Sequence, residues 1–237
     1  MIGLGTIINT VGILIGGLAG GVLGKNISEN LQDTLGKASG ISVLFIGIAG
    51  SMEGMLKING DGLGSGKSMF VVISLVLGAL IGEIINIEGY FESFGEWLKR
   101  KSGNAKDKNF VEGFVTASLT VCIGAMAIVG AIQDGIMGDY SILATKAVLD
   151  FIIIMVMTAA LGKGAMFSAV PVAVFQGSMT LFARAMKPIM TEAALFHLSL
   201  IGSILIFCVG LNLVWGKKVR VANFLPALII AVMISYI

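Results

Sequence analysis

Apolar stretches long enough to cross a bilayer follow one another along almost the whole chain, and each carries a few polar residues at its ends or inside it. A spanning helix needs about 20 mostly apolar residues. Eight runs approach that length: Gly5–Gly24, Ala38–Leu56, Met69–Ile87, Phe110–Ile132, Ile142–Leu161, Ala165–Ala183, Ala194–Val214 and Val221–Ile237. The pattern predicts a single all-α transmembrane domain, a polytopic bundle of about eight spanning helices. The sixth run contains Pro171, Gln176 and Gly177, so it reads as a span, a broken helix or a re-entrant segment. Two connections, Asn26–Lys37 and Tyr90–Lys101, interleave apolar with charged residues and read as short amphipathic helices on the membrane surface.

These connections belong to an internal similarity. Gly16-x-Leu18-x-Gly20 matches Gly78-x-Leu80-x-Gly82, and each is followed by an amphipathic stretch and a further run. The further runs carry Gly50-Ser51-Met52-Glu53 and Gly130-Ala131-Ile132-Gln133. A fainter third copy, in the opposite sense, predicts repeat-like units over about residues 5–57, 69–136 and 165–216. Opposed repeats are a transporter habit and place a site near the midplane.

Composition sharpens the class. Of 237 residues, 56% are hydrophobic and 13% charged, with mean hydropathy +0.96. A soluble domain carries about 25% charged residues. The chain is expected to lie entirely in the membrane part, and its first run to be a retained helix rather than a signal peptide. A net charge of +2 excludes a nucleic-acid partner, which requires a concentrated basic face. One histidine excludes a multi-histidine metal site within one chain, and the two cysteines lie in apolar runs. No cofactor is implied. Lys25, Lys37, Lys99, Arg100, Lys101, Lys106, Lys108, Lys163, Lys217, Lys218 and Arg220 fall on one side of the eight-run topology. Lys57, Lys67, Arg184 and Lys187 fall on the other. That asymmetry places both termini outside.

Ionisable and amide groups inside spanning runs are costly in lipid and mark partners or pathways. Lys146 and Asp150 are four apart, on one helix face. Asp150 is the strongest single candidate; the pair is either an ion- or proton-exchanging site or a permanent salt bridge. Glu53, Gln133 and Asp134 follow glycines near the ends of their runs. They read either as oxygen ligands at broken helices or as polar helix termini facing water. Gln176 offers uncharged hydrogen bonding, and Asn9 is expected to face the bundle interior. His197 reads as an interfacial histidine. Gly60-Asp61-Gly62-Leu63-Gly64-Ser65-Gly66-Lys67-Ser68 looks like a phosphate loop. It has Asp61 where the first glycine belongs and follows a membrane helix, so a flexible outer loop is expected instead. No paired catalytic constellation is evident, so the chain is not read as an enzyme.

Three strings are distinctive: Gly3-x-Gly5-Thr6-x-x-Asn9, Gly-Ser-Met-Glu-Gly at 50–54, and Ala127-Ile128-Val129-Gly130-Ala131-Ile132-Gln133-Asp134-Gly135. With them the chain resembles, over nearly its whole length, the YdfK/YqgA-like family of bacterial integral membrane proteins of unknown function. The resemblance implies a bacterial cytoplasmic membrane and supplies no substrate. The residues point to a secondary transporter or ion-coupled permease of a small solute or ion, with a channel or a non-transporting scaffold as alternatives. Its expected partners are membrane lipid, the solute and a second copy of the chain, because the glycine faces at Gly16, Gly20, Gly24, Gly78 and Gly82 favour close packing.

Overall fold

The computed structural model describes residues 1–25, 27–59 and 62–236. Asn26, Gly60, Asp61 and Ile237 lie outside the described residues; in sequence they open the first expected surface segment, begin the phosphate-loop lookalike and end the eighth run. The chain is built from α1 (Leu4–Lys25), α2 (Glu29–Met55), the strands β1 (Leu56–Asn59) and β2 (Gly62–Ser65), α3 (Ser68–Ile85), α4 (Ile87–Lys101), α5 (Phe110–Cys122), α6 (Ala125–Met137), α7 (Ser141–Leu161), a 3-10 turn (Lys163–Ser168), α8 (Ala169–Leu181), α9 (Ala183–Met186), α10 (Glu192–Trp215), a second 3-10 turn (Val221–Phe224) and α11 (Pro226–Ile234).

The helical membrane architecture is as expected, but the span count is not eight by length. Among the described residues six helices are long and apolar enough to cross: α1, α2, α3, α7, the Lys163–Leu181 segment and α10. The fourth run is a bent pair, α5 and α6, which turn by 62° at a break after Cys122. The eighth is divided into a 3-10 turn and the short α11. Pro226, which has no N–H to give, starts α11 at the position where none is needed.

One open alternative is settled and two other expectations change. The sixth run is not broken at Gln176: Pro171 sits in the first turn of α8, where a missing donor costs nothing, and Gln176 and Gly177 continue the helix. The disruption falls instead at Ile123 and Gly124. Secondly, the Asn26–Lys37 segment is not a separate surface helix. Ser28 caps α2 by accepting a hydrogen bond from the Leu31 N–H, and the helix runs on unbroken to Met55. Tyr90–Lys101 does lie within a discrete amphipathic helix, α4, which buries Glu88, Gly95 and Leu98. Thirdly, the glycine-rich outer segment is an antiparallel hairpin, with Leu56 opposite Ser65 and Asn59 opposite Gly62.

Glycine decides which helices touch. α1 and α7 run in the same direction. Gly12, Gly16, Gly20 and Gly24 meet Ala147, Phe151, Met155 and Ala159 in turn, every fourth residue on both helices. A Cβ on Gly16 would collide with the Phe151 carbonyl, and one on Gly20 with the Met155 carbonyl. α2 and α10 run antiparallel, with Gly40, Gly47 and Gly54 against Val214, Phe207 and Leu200. α3 lies against the C-terminal segment, with Gly78 on Ala227 and Gly82 on the Asn223 carbonyl. The glycine faces thought to favour a second copy are therefore consumed within the chain. Gly47, Gly50 and Gly54 serve packing and do not break α2.

These pairings give the bundle two ends. One carries Gly3, the hairpin, the α6–α7 turn, α9 and Tyr236; the other carries Lys25, α4, Lys163 and the 216–220 turn. Between them Ile13, Val121, Ile154, Met157 and Val172 form a buried apolar core shared by α1, α5, α7 and α8.

Gly20→Leu should lower the melting temperature of the detergent-purified protein by several degrees, because overpacking costs about 1–3 kcal/mol. Gly21→Leu is its control: a Cβ there meets nothing closer than Thr158 Cγ2 at 4.0 Å. An equal drop in both variants would show that α1 does not depend on this approach.

Candidate functional site

The polar residues of α1, α7 and α8 converge. Asp150 is the tenth residue of α7, about 14 Å from its start at 1.5 Å per residue, near the middle of a hydrocarbon core about 30 Å thick. Lys146 Nζ donates to Asp150 Oδ2 at 2.5 Å, and both side chains are buried. Asn9 on α1 and Gln176 on α8 are also buried; Asn9 Nδ2 donates to Gln176 Oε1 at 3.2 Å. The Asn9 amide also lies within reach of the Asp150 carboxyl. One turn nearer the hairpin end, the Thr6 and Thr180 hydroxyls pair at 3.3 Å. Cys122 on α5 packs against the apolar core that α1, α5, α7 and α8 share.

This cluster is tied but not fully satisfied. Asn9 Oδ1 and Gln176 Nε2 have no hydrogen-bond partner among the described residues. Turning both amides over leaves the same remainder, one carbonyl and one NH, because each amide has both kinds of group. A buried ion pair recovers its desolvation cost only with good geometry and further hydrogen bonds. The short Lys146–Asp150 contact supplies the first, and Asn9 contributes to the second.

Asp134 has another task. It is completely buried, and its carboxylate accepts hydrogen bonds from Gly3 N at 3.2 Å and Gly5 N at 3.0 Å. It therefore caps the N-terminus of α1, where unpaired N–H groups and the helix dipole favour an anion. It stands at the hairpin end of the seam and is not a ligand at its centre. Gln133, beside it, is half-buried and joined to the cluster by no hydrogen bond among the described residues. Glu53 is exposed on α2, away from the seam, so it does not belong to the site. The expected constellation is thus reduced to Asn9, Lys146, Asp150 and Gln176, with Thr6 and Thr180 added.

A second polar network, at the opposite end, was not foreseen. Glu88 is buried at the start of α4. It accepts from Ala222 N at 3.0 Å and from Lys217 Nζ at 2.9 Å, while its own N–H donates to Asn223 Oδ1 at 2.8 Å. Arg220 donates to Glu83 and Asn86, Asn223 donates to Glu83, and Lys217 also reaches Glu92. Burial works against the Lys217 ammonium, but hydrogen bonds to Glu92 and Glu88 outweigh it and raise its pKa above the ordinary value. Asn212 binds the N–H groups of Lys218 and Val219, folding the turn that delivers Lys217. A cavity of about 290 Å³ opens beside this network between α4, α5 and α10, lined by Glu88, Glu92, Lys108, Glu112 and Lys217 among others. The available signal was the carboxylates Glu83, Glu88 and Glu92 facing a basic turn remote in sequence.

His197 lies at the hairpin end. Its Nε2 receives Lys67 Nζ at 2.5 Å, its Nδ1 meets Ser235 Oγ at 2.8 Å, and its ring stacks on Phe70 at 4.3 Å. Burial, and then nearby Lys57, hold the Lys67 ammonium below its ordinary pKa. Lys67 and Ser235 belong to different ends of the sequence, so the histidine joins α3, α10 and α11.

Six apolar spans with a buried ion pair at mid-depth define a polytopic helical membrane protein. The chain belongs to the family described as "Protein of unknown function (DUF554)", whose model matches residues 4–236. It is 31% identical over 233 residues to the "Uncharacterized membrane protein YdfK" of Bacillus subtilis (strain 168), covering 98% of this chain and 96% of that one. It is 29% identical over 169 residues to the "Uncharacterized protein YqgA" of Escherichia coli (strain K12), covering 70% and 72%. No solved structure matches the chain.

Lys146→Met should be strongly destabilising, by about 3–5 kcal/mol, because it leaves Asp150 buried and unpaired. The double variant Lys146→Met/Asp150→Leu should recover most of that loss. Thermal unfolding in one detergent compares the three proteins; a double variant no more stable than the single one would count against a paired, desolvated site.

Proposed function

We propose that the protein is a secondary transporter or ion-coupled permease of a small solute, with the Lys146–Asp150 pair as its coupling element. The observation that carries this reading is an ion pair at mid-membrane depth flanked by two buried amides with hydrogen-bonding capacity to spare. A purely structural bundle has no need of unspent donors and acceptors there. Asp150 supplies a carboxylate that a proton or small cation can take over from Lys146, and Asn9 Oδ1 supplies a further oxygen. The break between α5 and α6 gives the fold a bending point.

The basic residues gather at the α4 end, which in a bacterial cytoplasmic membrane would face the cytoplasm. The three repeat-like units would then rock against one another about the seam. The glycine faces give no support to a dimer, so association with a second copy rests on other surfaces.

Proteoliposomes on a solid-supported membrane test the reading with proton, sodium and potassium jumps and a panel of amino acids and small neutral solutes. The wild type should give a saturable current that the Lys146→Met/Asp150→Leu variant, its folding checked by thermal unfolding, lacks. A non-saturating conductance would identify a channel. A double variant as active as the wild type would reduce the pair to a structural clasp.

A further inference from the structure

We propose that an apolar, laterally open cavity is a binding site for one acyl chain of an anionic phospholipid, whose phosphate sits on Arg184 and Lys187. The cavity holds about 620 Å³ between α5, α6, α8, α10 and α11. It opens sideways. Val174 on α8 and Ile229 on α11, both in its lining, are 68% and 64% exposed on the outer surface of the bundle, the surface that faces lipid. The nine-residue α11 is too short to close the wall beside α8.

The lining selects the occupant. Its hydroxyls are already engaged, Ser118 on the Phe114 carbonyl and Ser178 on the Phe175 carbonyl, and the Cys122 thiol is a weak partner. A polar solute would lose its water here and gain almost no hydrogen bonds in return. A hydrocarbon chain needs none. The site is thus distinct in chemistry from the Asn9–Gln176 seam.

The charge at the mouth selects the headgroup. Ile189 and Met190 line the cavity at the hairpin end. They belong to the turn that follows α9, and Tyr236 holds that turn to the C-terminal segment through the Ile189 carbonyl. Arg184 and Lys187 are exposed on the same short lip and have no ion-pair partner among the described residues. Leu181 and Phe182, next to them, are exposed apolar side chains, which sets the lip at the boundary of hydrocarbon and headgroups. Two unpaired cations above an apolar, laterally open slot match an anionic headgroup carrying a chain.

The test uses the full-length protein in a non-ionic detergent, with binding followed by native mass spectrometry and by thermal shift. The probes are dioleoyl-phosphatidylglycerol, dioleoyl-phosphatidylcholine and soluble glycerol 3-phosphate. The wild type should prefer phosphatidylglycerol. Arg184→Gln/Lys187→Gln should weaken that lipid about thirtyfold, as loss of two interfacial cations implies, and leave phosphatidylcholine unchanged. Val174→Trp, at the mouth, should weaken both lipids. Equal binding of the two lipids by the wild type, or a preference that survives the double substitution, overturns the proposal. So does competition by glycerol 3-phosphate at the lipid's own concentration, which would mark a phosphate site without a chain. A dimer whose interface occludes Val174 would overturn it as well.

Discussion

Everything polar in the centre of this molecule depends on how closely α1 can approach α7. In a bilayer no hydrophobic effect pushes helices together, because lipid tails are as apolar as leucine. Dispersion between well-fitted surfaces has to serve, and it falls away when a gap opens. Gly12, Gly16, Gly20 and Gly24 let the α1 backbone rest on Ala147, Phe151, Met155 and Ala159. That contact brings Asn9 within reach of Asp150 and seals the Lys146–Asp150 pair from both lipid and water.

The two polar networks show what burial does to similar chemistry. At the α4 end, Glu83, Glu88 and Glu92 meet Arg220, Lys217 and Asn223 near a cavity, with exposed cations and two partners each for the Glu83 and Glu88 carboxylates. Those ion pairs fasten α3 and α4 to the C-terminal segment; Lys217–Glu92 and Arg220–Glu83 are largely exposed and contribute modestly, while the Glu88 carboxylate is buried. In the seam the single carboxylate has one ammonium and one amide, and the amides keep unused groups. The second arrangement has alternatives open to it that the first does not. That difference, rather than charge alone, is what the proposed coupling role of the Lys146–Asp150 pair rests on.

Membership of the DUF554 family and the likeness to YdfK cover nearly the whole chain, so the fold described here is a frame for those relatives too. The break after Cys122 divides the fourth apolar run of that frame into α5 and α6. It lies between the core shared by α1, α5, α7 and α8 and the apolar cavity that Ser118 and Cys122 line.

The sequence by itself determined the helical membrane class, the family, the amphipathic α4, and Lys146, Asp150, Asn9 and Gln176 as the interior groups. Runs of apolar residues and the cost of a charge in lipid are local properties, legible without coordinates. Only the tertiary structure decided what each polar group touches. Glu53 and Asp134 follow a glycine near the end of similar strings, yet one faces outward and the other is sealed against the first turn of α1. Pro171 and Gly124 are both helix disruptors by type, but Pro171 falls in a first turn and Gly124 does not. Which glycine is a hinge and which a packing surface depends on the helix that arrives opposite, and partners such as Gly16 and Phe151 are too distant along the chain for any local pattern to reveal.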